Sequence, residues 1–137
     1  MAKWSVPIVK WKGLVKQEME AAARALALDL FSAIMVRSPV DTGRFRGNWQ
    51  IDINSPAAAA LDKFDKAGQE TILAETAKLV GYRLGATIAM RNNVPYSVRL
   101  EYGYSGQAPK GMVRITLAEA PMRAQRIAAG FKARRGA

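Results

Sequence analysis

The stretch that decides the fold is residues 38–53, which read SPVDTGRFRGNWQIDI. Its first half is rich in turn-forming residues. The side chains of Asp41 and Thr42 can accept hydrogen bonds from nearby backbone N–H groups, and Gly43 can adopt a positive φ angle. Pro39 keeps the residue before it out of the α-helical region. We therefore expect these four residues to form a fixed structural corner.

The second half of the same stretch alternates apolar and polar side chains. Trp49, Ile51 and Ile53 recur at every second position, which is typical of a half-buried strand over residues 48–54. The turn-forming run Asn-Ser-Pro then ends the strand. The corner is therefore predicted to lead directly into the first strand of a sheet.

The residues before the corner predict one long helix over residues 12–37. Ala, Leu, Met, Glu and Lys dominate this segment, and all five are good helix formers. Pro39 should end the helix near Ser38. The apolar side chains recur at steps of three and four residues in two neighbouring stripes. The first stripe holds Val15, Met19, Ala22, Leu26, Leu30 and Ala33, and the second holds Leu28, Phe31 and Met35.

A helix face with two apolar stripes is wider than one contact in a small domain needs. Two explanations stay open. The chain can wrap the helix on two sides, or the second stripe can pack on a neighbouring subunit. The second explanation makes Leu28, Phe31 and Met35 candidate interface residues. Tyr102 and Tyr104, at the end of a predicted strand and in the glycine-rich loop after it, are two further candidates.

The residues after the corner complete a small α+β domain. Strands are predicted over residues 86–91 and 95–103, and helices over residues 68–81 and 112–129. Part of the last segment also fits a strand, but its overall spacing favours a helix. The expected fold is a single domain in which the long N-terminal helix packs on a small antiparallel sheet, with one or two further helices. A mobile basic C-terminal tail is expected over residues 130–137.

The composition excludes several classes of chemistry. The 137 residues include no cysteine and no histidine, which excludes Cys/His zinc sites and catalytic arrangements that need either residue. Asp41, Asp52 and Glu101 are the acids near predicted strands or turns, and they form no paired-carboxylate motif. Residues 103–111 fit neither a nucleophile elbow nor a phosphate-binding loop. We expect no enzyme activity, no cofactor, no metal and no small-molecule substrate.

The net charge of +10 indicates an anionic partner, either a polyanion or an acidic protein. Lysines and arginines without any acid concentrate in residues 1–16 and 120–137. In the corner, Arg44 and Arg46 can pair with Asp41 and Glu101, or they can bind an acidic partner. Four aromatic side chains can stack bases beside these cations, namely Trp4, Trp11, Tyr102 and Tyr104. A small nucleic-acid-binding protein is therefore an alternative, although no base-reading signature is present and at most non-specific DNA contact is expected.

No part of the sequence predicts secretion or a membrane span. The N-terminus lacks the continuous apolar run of a secretion signal. The most apolar run, residues 25–36, is interrupted by Asp29 and is too short to cross a bilayer. We expect the protein to be made, and kept or assembled, in a cytoplasm.

Two blocks of the sequence together resemble a known family. The first is residues 38–49, SPVDTGRFRGNW, and the second is residues 92–114, NNVPYSVRLEYGYSGQAPKGMVR. The pair resembles the neck and tail-completion proteins of long-tailed bacteriophages, which are also described as head–tail joining proteins or minor tail components. In that family a long N-terminal helix precedes a P-V-D-T-G turn and an aromatic-led strand. A later N-x-x-P-Y strand precedes a Gly/Pro loop and a G-M-V-R segment, whereas residues 55–84 carry no motif of the family.

The resemblance implies a structural, non-enzymatic virion protein. Proteins of this family lie between the portal and connector of the capsid and the tail tube, where they form rings or collars. The resemblance thus implies a homo-oligomeric ring that contacts head–tail connector or tail terminator proteins, located in the neck or tail after assembly in the host cytoplasm. Within the family pattern, Asp41 and Thr42 would tie the corner. Glu101 would pair with Arg44 or Arg46.

Overall fold

The structure is a computed structural model that describes residues 13–54, 59–103 and 105–136, with side chains through Arg134. Within these residues, helices and a two-stranded sheet alternate, which confirms the expected α+β class. In chain order the elements are α1 (Lys16–Arg37), α2 (Arg44–Gly47), β1 (Trp49–Ile53), α3 (Gln69–Thr76), a 3₁₀ helix (Ala77–Gly81), β2 (Ile88–Asn92), α4 (Ser97–Glu101) and α5 (Val113–Gly136).

The sheet is one antiparallel pair in which β1 and β2 pair along their full lengths, with Ile51 opposite Met90. The second edge of β1 is covered. The N–H of Ile51 donates to a carboxylate oxygen of Glu75 at 2.8 Å, and the ammonium of Lys78 donates to the carbonyl of Ile51 at 3.2 Å. A covered edge cannot pair with a strand of another chain.

The helix predicted over residues 12–37 is α1, which begins at Lys16, later than predicted, and ends at Arg37. The Glu18 carboxylate accepts the N–H of Val15 at 3.0 Å and so caps the first turn. At the other end the backbone leaves the helical region at Ser38, as Pro39 requires. Both ends are thus set by residues next to them in the sequence.

Most of both apolar stripes of α1 packs inside the chain, whereas Val15 of the first stripe is exposed. The first belongs to a core cluster between α1 and α5, and the second to a cluster between α1, the corner and β1. Phe31 and Met35 are each 1% exposed, so the hypothesis that they form a subunit interface is wrong. Leu28, at 44% exposure, stays at the surface. The α1–α5 cluster includes Ala22, Leu26, Leu30, Ala120, Ala124 and Ala128, and the other cluster includes Phe31, Met35, Phe45, Trp49 and Ile51.

The last helix, α5, is longer than the sequence predicts. It continues past residue 129 to Gly136, so the last turns of a helix replace most of the predicted mobile tail. Phe131 accounts for the extension, because its side chain packs against the α1–α5 cluster, and the Arg134 guanidinium lies 4.9 Å from the centre of its ring. Pro121 lies inside the helix at an exposed position, where it has no N–H to donate to the carbonyl of Leu117.

The strand predicted over residues 95–103 is wrong, because these residues form α4 and its flanking turns. The alternation of apolar and polar residues does not match burial: Val98 is exposed and Glu101 is buried. The Ser97 hydroxyl donates to the carbonyl of Val94 at 2.8 Å and holds the first turn of α4. A helical turn points the Glu101 carboxylate at the start of α5, which a strand would not do.

The remaining predictions are confirmed with shifted ends. The strands predicted over residues 48–54 and 86–91 are β1 and β2, and β2 begins and ends slightly later than predicted. The helix predicted over residues 68–81 is α3 followed by the 3₁₀ helix. Gly68, with φ 81°, precedes α3, and the Met35 side chain packs so closely on it that a Cβ there would overlap the sulfur.

Candidate interaction surface

The corner, residues 38–48, turns at Gly43, whose φ angle is 90°. The Gly43 carbonyl accepts the N–H of Asp65 at 2.9 Å, so the chain around residue 65 lies directly against the corner. A Cβ at Gly43 would lie 2.6 Å from the backbone nitrogen of Lys66. Glycine alone combines this φ angle with this contact. The structure therefore gives Gly43 the positive φ that the sequence predicts, and adds a packing reason for it.

Asp65 locks the segment that packs on the corner. One carboxylate oxygen accepts the N–H of Gly68 at 2.9 Å, and the other accepts the N–H and the hydroxyl of Thr71 at 2.9 and 2.8 Å. Burial raises the pKa of Asp65, but these donors and the charge of Lys63 lower it more, so the pKa lies below its ordinary value. Asp65 therefore stays ionised and caps the start of α3.

Arg46 joins the corner to the end of α1. Its guanidinium donates to the carbonyls of Val36 and Ser38, both at 3.1 Å, and to the carbonyl of Lys66 at 3.0 Å. The Ser38 hydroxyl accepts the indole N–H of Trp49 at 2.9 Å. The acceptors around Arg46 are neutral carbonyls. Its side chain is therefore fixed in position while its charge is not neutralised by a carboxylate of the described residues.

The other corner residues differ in their roles. Pro39 is buried, and the Thr42 hydroxyl accepts the N–H of Arg44 at 3.2 Å, as expected for a turn. Asp41 is exposed, and its carboxylate makes no hydrogen bond or ion pair to any described residue. The hypothesis that Asp41 ties the corner is therefore wrong. Asp65 supplies the carboxylate that stabilises this region.

The 105–111 loop docks on the corner through a single amide. The Gln107 Nε2 donates to the carbonyl of Val40 at 3.0 Å, and the Gln107 Oε1 accepts the N–H of Val40 at 2.9 Å. This pair of bonds is of the kind that joins two neighbouring backbone strands. At the base of the loop, a Cβ at Gly103 would lie 2.7 Å from the carbonyl oxygen of Pro109. The loop is therefore fixed at its base and at Gln107.

Glu101 is the polar centre below this loop. It is 3% exposed, and its two carboxylate oxygens accept the backbone N–H groups of Met112, Val113 and Arg114 at 2.9, 2.7 and 3.0 Å. The Arg114 guanidinium forms an ion pair with it at 3.0 Å and lies over the ring of Tyr102 at 4.3 Å. N–H groups at the start of a helix have no acceptor within the helix, so Glu101 caps α5.

The charge of Glu101 is held by its donors. Burial raises the pKa of Glu101, but the three backbone N–H groups and the Arg114 side chain lower it more, so the pKa lies below its ordinary value. The predicted ion pair of Glu101 with Arg44 or Arg46 is therefore wrong, because Arg114 occupies that place. Arg46 bonds to backbone carbonyls, and Arg44 forms no ion pair with a described residue.

The aromatic candidates are only partly within the described residues. Tyr102 is exposed and carries Arg114 on its ring. Tyr104, Trp4 and Trp11 lie outside the residues that the structure describes. Of the five candidate interface residues, Leu28 and Tyr102 are thus at the surface, and Phe31 and Met35 are in the core.

An open groove of about 330 Å³ lies between the end of α1 and the 105–111 loop. Its walls combine apolar side chains and cations: Val36, Ala108, Pro109 and Ile115 are apolar, and Arg37, Arg46 and Lys110 are cationic. The described residues that line the groove include no carboxylate. Lys110 is exposed and forms no ion pair with a described residue. The groove is therefore apolar and positively charged at once.

A chain of ion pairs joins α1 to α5 beside the groove. Arg37 pairs with Glu119 at 2.7 Å, Glu119 with Arg123 at 2.8 Å, and Arg123 with Asp29 at 2.8 Å. Hydrogen bonds from Arg37 and then Arg123 lower the pKa of Glu119 to about 2. These four charges cancel. The network therefore aligns the two helices without adding net charge to the surface.

Most acidic side chains form ion pairs or hydrogen bonds with other residues of this chain. Five form ion pairs, namely Asp29, Asp52, Glu75, Glu101 and Glu119. Three more accept backbone N–H groups, namely Glu18, Glu20 and Asp65. Of the eleven acids, Asp41, Asp62 and Glu70 alone form no hydrogen bond or ion pair with a described residue, and the chain has 21 lysines and arginines. Few acids are thus left to offset the positive charge at the surface.

The buried carboxylates serve the fold. Asp65 and Glu101 accept hydrogen bonds that keep them ionised, so neither has the raised pKa that a general acid needs at neutral pH. Among residues 13–54, 59–103 and 105–136, no three acidic side chains come together in a way that could hold a metal ion.

Sequence reasoning missed Asp65, Gln107 and Arg114. Asp65 had a usable signal, because an acid placed a few residues before an apolar helical pattern is a typical helix start. Gln107 had none, since its partner, Val40, is 67 residues away. The sequence predicts a strand where α4 lies, and a strand gives no reason for Glu101 to turn inwards. The Arg114–Glu101 pair could therefore not be predicted.

Comparisons with protein-family models, with curated proteins and with solved structures found no match to this chain. In the part of the chain that the structure describes, no helix is both long and apolar enough to cross a bilayer. The two motif blocks and the geometry above therefore carry the functional argument.

Proposed function

We propose that this chain is a structural protein of the bacteriophage head–tail junction, a neck or tail-completion component that acts by assembly and not by catalysis. It forms a ring or collar of its own copies that helps to join the tail to the DNA-filled head. Its partners are the head–tail connector or tail terminator proteins. It assembles in the host cytoplasm, works in the virion, and needs no cofactor.

The observation that carries this proposal is the contact between the two blocks that resemble the family, residues 38–49 and 92–114. The rings of Phe45 and Tyr96 lie 6.3 Å apart, and the Asn92 side chain donates to the carbonyl of Phe45 at 2.7 Å. The bonds between Gln107 and Val40 join the same two blocks. Motif blocks of one family are expected to form one structural unit, and the two blocks of this chain do.

Exposed apolar side chains supply a surface for self-association. Arg24 of α1 donates to the carbonyl of Tyr82 at 2.7 Å, and the Glu20 carboxylate accepts the N–H of Leu84 at 2.8 Å. These bonds tie α1 to the end of the 3₁₀ helix and the loop after it. Three large apolar side chains that are more than two-fifths exposed lie close along the chain to these bonds, namely Leu28, Val80 and Leu84, whereas Val36, which is also exposed, lies at the far end of α1. We call this surface the α1–3₁₀ face. Exposed apolar groups of this kind mark partner contacts, and repeated contacts that close on themselves make a ring.

The test of self-assembly is Val80→Asp, with Val36→Asp as its matched control. The two valines are 75% and 72% exposed, so neither change should unfold the protein. Val36 lies about 18 Å along α1 from Arg24, at about 1.5 Å per residue. Native mass spectrometry and negative-stain images of the full chain should show rings for the parent and for Val36→Asp, and monomers for Val80→Asp. A parent that stays monomeric at every concentration would contradict the proposal.

A small nucleic-acid-binding protein is the second candidate function. The observation that favours it is the commitment of most acids to the fold, which leaves cations such as Arg126 exposed on α5. The measurement that separates the two candidates is affinity for duplex DNA as a function of salt. Weak binding that falls steeply with salt fits a virion component next to DNA. Tight, sequence-selective binding at physiological salt favours the second candidate.

A further inference from the structure

The groove between the end of α1 and the 105–111 loop is preformed. On one side, Arg46 fixes the end of α1 through carbonyls that include those of Val36 and Ser38. On the other side, the amide of Gln107 fixes the loop to Val40. Because both walls are held by hydrogen bonds, a ligand would pay little to order them. A preformed groove with apolar walls and a few polar groups is typical of a binding site.

The described residues that line the groove include three cations and no carboxylate. Lys110 forms no ion pair with a described residue, and Arg46 donates to neutral carbonyls. Arg37 is offset by Glu119. The carboxylate of Glu101 is buried and paired with Arg114, so it repels little at the surface. An incoming carboxylate would therefore meet two uncompensated cations and no opposing acid, which favours an acidic ligand.

The apolar walls distinguish between acidic ligands. Val36 is 72% exposed and lines the groove together with the exposed Pro109 and the half-buried Ile115. Duplex DNA presents phosphates and gains little from such walls. A second copy of this chain is also a poor fit for the groove, because only Asp41, Asp62 and Glu70 of its acids form no hydrogen bond or ion pair with a described residue. The chemistry that fits is a peptide with both carboxylates and apolar side chains.

We propose that this groove binds an acidic segment of a different protein, in which Asp or Glu side chains flank an apolar residue. The carboxylates face Lys110 and Arg46, and the apolar side chain packs between Val36 and Pro109. The inference goes beyond the proposed ring, since the groove lies on a different part of the molecule from the α1–3₁₀ face. Peptide binding by the groove can therefore be tested independently of self-assembly.

The experiment uses a short fluorescent peptide that alternates Asp or Glu with Leu, measured by anisotropy against the full chain at physiological salt. Lys110→Glu and Val36→Asp should each weaken binding by about tenfold or more. Their matched controls, Lys16→Glu and Val80→Asp, change equally exposed residues outside the groove and should stay within about twofold of the parent. A peptide with Asn and Gln in place of the acids should not bind. Circular dichroism melts confirm that all four variants are folded.

Three results would overturn the inference. The first is peptide binding that is absent, or that does not change with Lys110→Glu and Val36→Asp. The second is a duplex DNA oligonucleotide that binds more tightly than the peptide and loses affinity with the same two variants. The third is loss of self-assembly in Lys110→Glu and Val36→Asp, which would make the groove a contact between copies. Rings that persist in both variants while peptide binding is lost would support the inference, whatever Val80→Asp does to self-assembly.

Discussion

The corner with its docked loop and the α1–α5 helix pair are stabilised by different means. In the corner region, single polar groups fix the backbone: the buried Asp65 and Glu101 and the exposed Gln107 each bond to backbone atoms. In the helix pair, small apolar side chains repeat along the contact, and the ion pairs lie at its partly exposed margin. The same chain thus uses residue-specific bonds in one region and a repeating pattern in the other.

The difference predicts how each region responds to change. A fixed backbone held by a few buried groups fails when one of those groups is altered, because unsatisfied buried polar groups are costly. A repeating contact loses little from one surface change, since each exposed ion pair contributes little. The groove is built on the first kind of region. Its shape therefore depends on residues that never touch a ligand.

The largest loss of stability is expected from Gly43→Ala in the corner, with Gly85→Ala as control. Both glycines have positive φ angles, 90° and 99°, but a Cβ at Gly43 meets the backbone of Lys66 at 2.6 Å whereas a Cβ at Gly85 meets nothing within 4 Å. We expect Gly43→Ala to lower the free energy of unfolding by about 3 kcal/mol or more, and Gly85→Ala by about 1 kcal/mol. Urea unfolding curves measure both, and equal losses would show that the contact with Lys66 does not matter.

The second prediction uses pH to test the buried carboxylates. The pKa of Asp65 and that of Glu101 lie below their ordinary values of 3.8 and 4.5. A lowered pKa in the folded state means that stability is complete above the ordinary pKa and falls as the pH drops through the folded pKa. No histidine titrates between pH 6 and 8. The melting temperature should therefore be flat near neutral pH and fall below about pH 4.5.

Glu101→Gln isolates one of these two groups. The variant keeps the size of the side chain but loses the charge that accepts three N–H groups and pairs with Arg114. We expect it to cost about 2 kcal/mol at pH 7 and progressively less in acid, where the parent loses the same charge. A cost that does not change with pH would show that the charge of Glu101 does not stabilise the fold.

The sequence predicts the helix pair better than the corner because periodic patterns are local. Steps of three and four residues located α1, its two stripes and most of α5. The same reasoning predicts a strand at residues 95–103, where apolar and polar residues alternate along the sequence. That prediction is wrong, because the alternation does not match burial and these residues form α4 and its flanking turns. It also could not tell that Phe31 and Met35 face the corner and not a neighbour, since the partners that cover them are distant in sequence.

Turn chemistry gave part of the candidate surface. Gly43 and Thr42 behave as turn residues, because their roles depend on the nearest few residues. The sequence predicts that Asp41 stabilises the corner, but Asp65 supplies that carboxylate. It also predicts an acidic partner for Arg46, whose guanidinium instead donates to backbone carbonyls. The groove itself had no sequence signal, since its walls come from segments about 70 residues apart that only the fold brings together.

The smallest expected effect concerns the ion pairs of the helix pair. Arg123 bonds to Asp29 and Glu119, at side chains that are partly exposed and open to salt. Because exposed pairs contribute little and are screened, Arg123→Gln should lower the melting temperature by no more than about 3 °C, and the difference should vanish near 1 M salt. Glu101→Gln should keep most of its cost at the same salt, since the Glu101 carboxylate is buried and accepts three backbone N–H groups. An Arg123→Gln loss as large and as salt-resistant as that of Glu101→Gln would show that the helix pair, like the corner, depends on single residues.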